Sequence, residues 1–555
     1  MSGGHVPPDP GATQWDAIVI GTGMGGGTAG YELARLGRRV LFVEKGWSAP
    51  GGKSFGGEAA AGAPDGGEDE DSPRARLRAG RWPLRLQEGS GARKTEFFAP
   101  LGCGIGGSTA LYAAALERFQ PSDFAPRANF PDVPDATLPE RWPITYEELR
   151  PFYEQAERMF GVAGTPDPLD RGSPSILREP PPLSPRDGHL ESSFRELGLH
   201  PYRVHVACDF VAGCTGCGAG PCARGCKRDA ATVCVLPALE QFGARLLPGC
   251  EVLSIEADAS SVREVRCRWR GRDLALRAKV VVLAAGAYMT PALLLKSRSA
   301  HWPDGLANRS GQVGRNLMMH VSDFFAVAPR ERLAAQPGPY KSLALNDFYA
   351  AGGEKLGTFQ TAGVAVDLGQ IMQYMRDVAE RDPTWWKKLA SPRPVWWRKL
   401  SSPAVRLAAL LVYHLFGFRH AGLWASSIED LPYPHNRIVA DPAANNGMRI
   451  EYRYPEELAR RVASFRSRLV EALRPHRVLL LSSGNNLNYG HVCGTCRFGD
   501  DPAASVLDRD NRAHDLSNLY VVDASFFPSS GGTNPSLTIA ANALRAARAI
   551  HARLG

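Results

Sequence analysis

Two glycine-rich turns and one knot of cysteines are the stretches of this 555-residue chain whose residue types and spacing could do chemistry. The first turn, Gly21-Thr22-Gly23-Met24-Gly25-Gly26, has the GxGxxG pattern. An apolar run from Ala17 to Ile20 leads into it and a helical pattern from Thr28 to Leu36 follows. A second apolar run, Val40 to Val43, then ends at Glu44. Strand, turn, helix, strand and acid in that order make a dinucleotide site of what would otherwise be a plain turn. Gly21 permits the tight turn, Gly23 lets the backbone approach a pyrophosphate, and Gly26 lets helix and strand pack closely. The helix N-terminus offers unpaired N–H groups and a positive dipole end to the phosphates. Glu44 is the acid that would accept from an adenosine ribose. These residues alone do not separate NAD from FAD.

The second turn runs from Gly102 through Gly106, Gly107 and Ser108 into a stretch, Ala110 to Leu116, that is compatible with a helix. It reads as backbone N–H groups held against a phosphate or an isoalloxazine ring, with a packing turn as the alternative. The cysteines are Cys214, Cys217, Cys222 and Cys226, with glycines between them that allow tight turns. Four thiols so placed can ligate an iron–sulfur or zinc centre, although the spacing matches no ferredoxin run. The alternative is a set of buried thiols. Cys493 and Cys496 form a separate CxxC, a pattern that can be redox-active.

The elements that position these groups make an α/β chain. A Rossmann-like part spans 14–320 and 486–555, and a substrate lobe spans 321–485, where aromatic and long polar stretches replace the dinucleotide signatures. The lobe is expected to be α+β with an antiparallel sheet, and Asn436-Arg437-Ile438-Val439 reads as one of its strands. In the first part, Lys279 to Leu283 is a buried strand ending near Gly286, where ligands of a doubly wound sheet collect. Thr145, with Glu148 three residues on, is the capping box of a helix. Residues 48–72 carry the run Glu68-Asp69-Glu70-Asp71 in a Gly/Ala-rich setting and read as a solvated loop. Residues 208–234 form the cysteine-rich loop.

A net charge of +8, 44% hydrophobic and 22% charged residues describe an ordinary globular protein with no nucleic-acid surface. The first residues lack a secretory pattern, and the longest apolar run, Leu407 to Phe418, is short of the ~20 residues a membrane span needs. A cytoplasmic location is expected, with thiols rather than disulfides. Within 381–420, Trp385, Trp386, Trp396 and Trp397 stand beside lysines and arginines. Peripheral contact with a membrane interface and packing of a helix on its own lobe fit that composition equally.

The C-terminal part holds His491-Val492-Cys493-Gly494-Thr495, then Asp523-Ala524-Ser525, then Gly532-Thr533-Asn534-Pro535-Ser536 before an alanine-rich helix. With the first glycine unit, Gly106-Gly107-Ser108, Trp142-Pro143-Ile144, Leu283 to Gly286, Gly314-Arg315-Asn316-Leu317 and His320, the chain resembles glucose–methanol–choline (GMC) flavoprotein oxidoreductases over nearly its whole length. The resemblance selects FAD. It implies that His491 is the active-site histidine, Asn534 its partner, Asp523 the aspartate near the ribityl–phosphate, and Val252 part of the segment approaching the adenine. It also makes the CxxC incidental. Tyr112 stands where the family has Asn, which leaves the local flavin contacts open. Related flavin dehydrogenases carry a three-iron cluster in a comparable cysteine loop.

The implied chemistry is oxidation of an alcohol to a carbonyl. Neutral His491 takes the hydroxyl proton, Asn534 donates to the developing alkoxide, and the flavin accepts the hydride. Oxygen or another acceptor then reoxidises the flavin, and a cluster at the four cysteines would favour a dehydrogenase. The Trp-rich segment suggests a lipophilic alcohol or sterol as the small-molecule substrate. A lyase of the hydroxynitrile type, in which FAD does no redox work, is the rival from another class.

Overall fold

Ile18, Val19, Leu41 and Phe42 are fully buried, as strands covered on both faces must be. They lie in Gln14–Ile20 and Val40–Glu44 of a sheet ordered Arg245–Pro248, Val40–Glu44, Gln14–Ile20, Arg272–Leu283. These neighbours pair in parallel, and Leu519–Val521 joins parallel to the far side of Arg272–Leu283. The long strand also turns back into an antiparallel pair, Val262–Trp269 and Cys250–Ala257. Helix Met24–Arg35 packs between this sheet and the C-terminal helix Ser536–Leu554. The computed structural model describes residues 5–49, 53–54, 71–90, 93–170, 172, 174–214, 220–222, 224–329, 331, 341–366, 368–369, 371, 410–411, 413–414, 418–482 and 484–555.

A second, antiparallel sheet of six strands has the order Arg477–Leu480, Phe324–Ala328, Gly422–Ile428, Gly357–Ala365, Leu343–Leu345, Tyr202–Arg203. Helix Glu456–Ala472 lays Leu458, Val462, Phe465 and Leu469 on it, against Phe325, Phe359 and Trp424. Pieces of the first segment take part in this second body. Helix Pro185–Glu196 buries Leu190 and Phe194 in its core, and Tyr202–Arg203 is its edge strand. The hairpin Leu86–Ser90 and Arg93–Phe97 extends a four-stranded sheet with Arg437–Ala440 and Met448–Glu451.

Thr145 caps helix Tyr146–Phe160 as its sequence indicates: its Oγ accepts from Glu148 N at 3.2 Å, and Glu148 Oε2 accepts from Thr145 N at 2.8 Å. Residues 110–116 differ from the helical expectation. After one turn of 3-10 helix, Gly107–Ala110, the chain straightens, Ala114 takes φ +58°, and Leu116 N donates to His205 O at 2.9 Å. Leu116 N and Ala114 O are paired with the 205–207 segment, which takes the place of bonds within a helix. Most of 381–420, and residues 50–52 and 55–70 of the acidic loop, lie outside the described residues. No helix among the described residues is long and apolar enough to cross a membrane.

Candidate active site

One cavity of about 670 Å³ runs along the C-terminal edge of the parallel sheet and under the antiparallel one. Its volume lies in the range of small-molecule and cofactor sites. Gly21, Gly23, Glu44, Gly107, Ser108, Val252, Asp523, His491 and Asn534 all line it. Residues from both ends of the chain, far apart in sequence, therefore share one wall.

The first turn leaves room where a ligand backbone would lie. Helix Met24–Arg35 begins at Gly23 with no capping side chain and no acid in its first turn, so its N-terminal N–H groups face the cavity uncapped. The two glycine turns meet closely: a Cβ on Gly107 would sit 2.8 Å from Gly23 Cα. Gly26 and Gly106 stand behind the wall. A Cβ on Gly26 would meet Gly21 O at 2.1 Å, so Gly26 sets the helix-to-strand approach, while Gly106 N donates to Thr22 Oγ1 at 3.3 Å. Glu44 is buried, with Oε2 accepting from Thr22 N and Oγ1 and Oε1 accepting from Gly46 N. Burial pushes its carboxyl up. Asp523 accepts from Gly286 N and Thr290 Oγ1 on one oxygen and from Ser525 N and Oγ on the other, tying the end of Arg272–Leu283 to the C-terminal segment. Uncapped N–H groups, side-chain-free turns and a buried acceptor in one wall fit FAD.

Gly25 shows how little slack this wall has. A Cβ there would lie 2.1 Å from Val522 O, and backbone cannot yield as a flexible side chain does. Gly25→Ala is expected to yield protein with little bound flavin and a lowered thermal midpoint, read from the visible-to-ultraviolet absorbance ratio and a melting curve.

His491 is placed by strand-like pairing. Met318 and Cys493 exchange both backbone hydrogen bonds at 3.0 Å, so residues two positions along each segment, His320 and His491, face each other. Their Nδ1 atoms are 3.0 Å apart. His320 Nε2 lies 2.9 Å from Gly531 O and 3.2 Å from Ser530 O, two acceptors that require an N–H on that nitrogen. His320 Nδ1 is therefore the acceptor, served by His491 Nδ1–H and, at 3.1 Å, by the Ser427 hydroxyl. This assignment leaves the lone pair of His491 on Nε2. Burial, followed by the neighbouring His320 and Lys341, pulls the His491 imidazole down to about 3; burial likewise brings His320 to about 4. Both rings are neutral at ordinary pH.

Asn534 lies on the loop before the C-terminal helix. Gln360, on strand Gly357–Ala365, donates from Nε2 to Asn534 Oδ1 at 2.5 Å, which frees the Asn534 amide N–H groups for another acceptor. His320, in contact with the His491 ring, and Gln360, in contact with the Asn534 amide, are cavity-side partners that the sequence left without roles. His320 carried a motif signal; Gln360 carried none.

The cysteine knot brings together three members of the spacing-based set and adds a fourth thiol from outside it. Cys217 lies outside the described residues. Cys226 Sγ is 3.5 Å from Cys214 Sγ and 3.4 Å from Cys222 Sγ. Cys208 joins them: its Sγ and those of Cys214 and Cys226 all lie within 4.8 Å of one another. The bridge pairing of Cys208 with Lys227 brings it there, a contact with no local spacing signature. Cys493 and Cys496 are buried in the core, and burial drives both thiols up.

GMC oxidoreductase family models match residues 15–322 and 463–543. The chain is 31% identical to 6'''-hydroxyparomomycin C oxidase of Streptomyces lividus, over 97% of this chain and 92% of that protein. It is 28% identical to 2-methyl-1,2-propanediol dehydrogenase of Mycolicibacterium austroafricanum, covering 96% and 95%. A solved structure of formate oxidase from Aspergillus oryzae, described for its FAD modification, shares the fold at a TM-score of 0.61, with 14% identity and 98% of each chain covered. With both family models matched on either side of the cavity, the chain belongs to the GMC oxidoreductase family and is a flavoprotein oxidoreductase acting on CH–OH donors.

Proposed function

We propose that the cavity oxidises an alcohol to a carbonyl, with His491 as general base and Asn534 as the hydrogen-bond partner of the reacting oxygen. The observation that carries this reading is the His320–His491 contact, which leaves the lone pair of His491 on Nε2, in a cavity that Asn534 also lines. Gly21, Gly23, Glu44, Gly107, Ser108, Val252 and Asp523 would hold FAD, with Gly26 and Gly106 shaping the two turns from behind. Bound FAD supplies the hydride acceptor for the α-hydrogen. His491 Nε2 takes the hydroxyl proton, and Asn534 donates to the oxygen as negative charge builds on it. Burial keeps His491 unprotonated without a carboxylate partner, so no competing salt bridge has to be broken.

The wall near His491 carries Lys341, Gln360, Ser426 and Ser427, which favours a polar alcohol. The sterol or long-chain reading, and with it peripheral membrane contact, rests on 381–420, most of which lies outside the described residues. Anaerobic mixing with a panel of polar alcohols should bleach the flavin with one carbonyl formed per flavin. Substrate turnover with the flavin left oxidised would replace oxidation by the lyase reading.

One observation favours a second feature. The thiols of Cys208, Cys214, Cys222 and Cys226 converge beside Tyr112, a residue of the cavity wall, as soft-metal ligands do. On this reading the loop holds a metal or iron–sulfur centre and the enzyme passes electrons to an acceptor other than oxygen. Iron and acid-labile sulfide in anaerobically purified protein should approach the flavin content; their absence, with oxygen consumed during turnover, makes the enzyme an oxidase with a loop of plain thiols.

A further inference from the structure

Three lysines are buried in the described structure: Lys227, Lys341 and Lys355. Two are held by the protein. Lys227 Nζ donates to the carbonyls of Gly220, Tyr112 and Ala110, and Lys355 Nζ is paired with Asp123 and Glu429. Lys341 is 6% exposed, lines the catalytic cavity, and has no hydrogen-bond or ion-pair partner for its Nζ among the described residues. A buried ammonium without a partner is costly unless something else supplies the counter-charge.

The acid that its charge meets is already committed. Glu117 Oε1 accepts from His205 N at 3.0 Å and Glu117 Oε2 lies 2.9 Å from His205 Nδ1. Although burial opposes it, that carboxylate raises the imidazole to about 9, so Glu117 and His205 neutralise each other. One positive charge is left over, on Lys341, and it faces the cavity. Its place is also fixed. Ser342 N donates to Thr361 Oγ1 at 2.8 Å, and Ala344 pairs with Gln360 in the same two strands. The lysine therefore stands just before the strand Leu343–Leu345 that pairs with the Gln360 strand, and its charge is close enough to help keep His491 neutral.

We propose that Lys341 anchors a carboxylate of the substrate, so that the alcohol oxidised beside His491 is a hydroxy acid. The assignment rests on the alcohol-oxidation reading of the same cavity. A single buried ammonium matches a monoanion; a phosphate dianion would leave a charge unpaired. The same ammonium would repel a cationic amino alcohol, so the preference is two-sided.

The test separates binding from chemistry. Butanoate, which has no hydroxyl to oxidise, is titrated into the flavin-loaded enzyme and followed by the flavin's visible spectrum, with butanamide and butyl phosphate as comparison ligands. Butanoate should bind about tenfold or more tightly than butanamide, and Lys341→Met should weaken butanoate by about tenfold or more, the loss of one charge-assisted contact. Lys341→Arg should retain part of the binding, which guards against a folding defect in the methionine variant, and flavin content checks both. Butanoate that fails to bind the unmodified enzyme, or binds equally well to Lys341→Met, overturns the proposal. Tighter binding of butyl phosphate overturns the choice of carboxylate. In turnover, hydroxybutanoate should outcompete butanediol in bleaching the flavin. Lysine-dependent butanoate binding, with no alcohol of either kind bleaching the flavin, would leave the anion site standing and remove alcohol oxidation instead.

Discussion

Replacing His491 with alanine is expected to slow flavin reduction by about 100-fold or more, the usual loss for a missing general base, with FAD still bound. Retention of FAD follows from the layout: the glycine turns, Glu44 and Asp523 are held by backbone and by one another, without help from His491. The wild-type pH profile is a sharper test than the variant alone. An ordinary histidine base is protonated, and inactive, below 6.5. Here burial lowers His491 to about 3 and its hydrogen-bond partner His320 to about 4. A lowered pKa moves the loss of base function to acid, so the reduction rate should stay flat down to about pH 5, where an unshifted imidazole would already be mostly charged. Rapid anaerobic mixing across that range measures it. A rate that climbs about tenfold between about pH 5 and about pH 7 would mean that a solvent-like imidazole does the work. His320→Ala should act on the same step by freeing the His491 ring to take the other tautomer, without touching the reacting oxygen.

The parts of this site that were readable in the sequence are those set by local geometry. A GxGxxG turn declares itself because the three glycines and the acid after the second strand act within one βαβ unit. Thr145 and Glu148 declare a helix start because a capping box closes over three residues. His491, Asn534 and Asp523 were legible only through resemblance to a family, since neither position in the chain nor spacing brings them to one cavity. The pairing of Met318 with Cys493 seats His491, Gly494 N to Ala524 O ties in the Asp523 segment, and Gln360 holds Asn534. Gln360 and Lys341 were illegible for the same physical reason. Gln360 lines the cavity from strand Gly357–Ala365, whose register with Leu343–Leu345 sets which of its faces meets Ala344. Lys341 lines it from the segment just before that partner strand, a placement that no local pattern encodes. The cysteine knot was legible in part. Regular spacing named Cys214, Cys217, Cys222 and Cys226, whereas Cys208 enters through a long-range bridge to Lys227 that spacing does not encode. Residues 110–116 were misread because a short apolar run suits a helix or an extended segment alike, and the neighbouring 205–206 segment decided it.

Lys355→Met should be the most destabilising single change near the site, costing about 3–5 kcal/mol, because it strips the partner from two buried carboxylates. Lys355 is 3% exposed at its side chain, and Asp123 and Glu429 are each 0% exposed. Burial pulls the ammonium down, but the two carboxylates outweigh it and keep it charged. The network reaches the active site through backbone donors. Glu429 Oε1 accepts from Gly531 N at 3.1 Å, and Tyr349, whose hydroxyl donates to Asp123 Oδ2 at 2.7 Å, accepts from Gly532 N at 3.0 Å. Those two residues belong to the loop whose Ser530 and Gly531 carbonyls fix the His320 tautomer and which continues to Asn534. Two effects should therefore appear together: a lower urea midpoint and slower flavin reduction in the protein that remains folded. They can be pulled apart. Combining Lys355→Met with Asp123→Asn and Glu429→Gln removes every unpaired charge, so most of the lost stability should return. Reduction should stay slow, because a glutamine oxygen and an asparagine amide accept more weakly than carboxylates and hold the 530–534 loop less firmly. If the triple variant remains as unstable as Lys355→Met alone, the cost lies in packing around the lysine stem, and charge balance is not what holds this loop under the histidine pair.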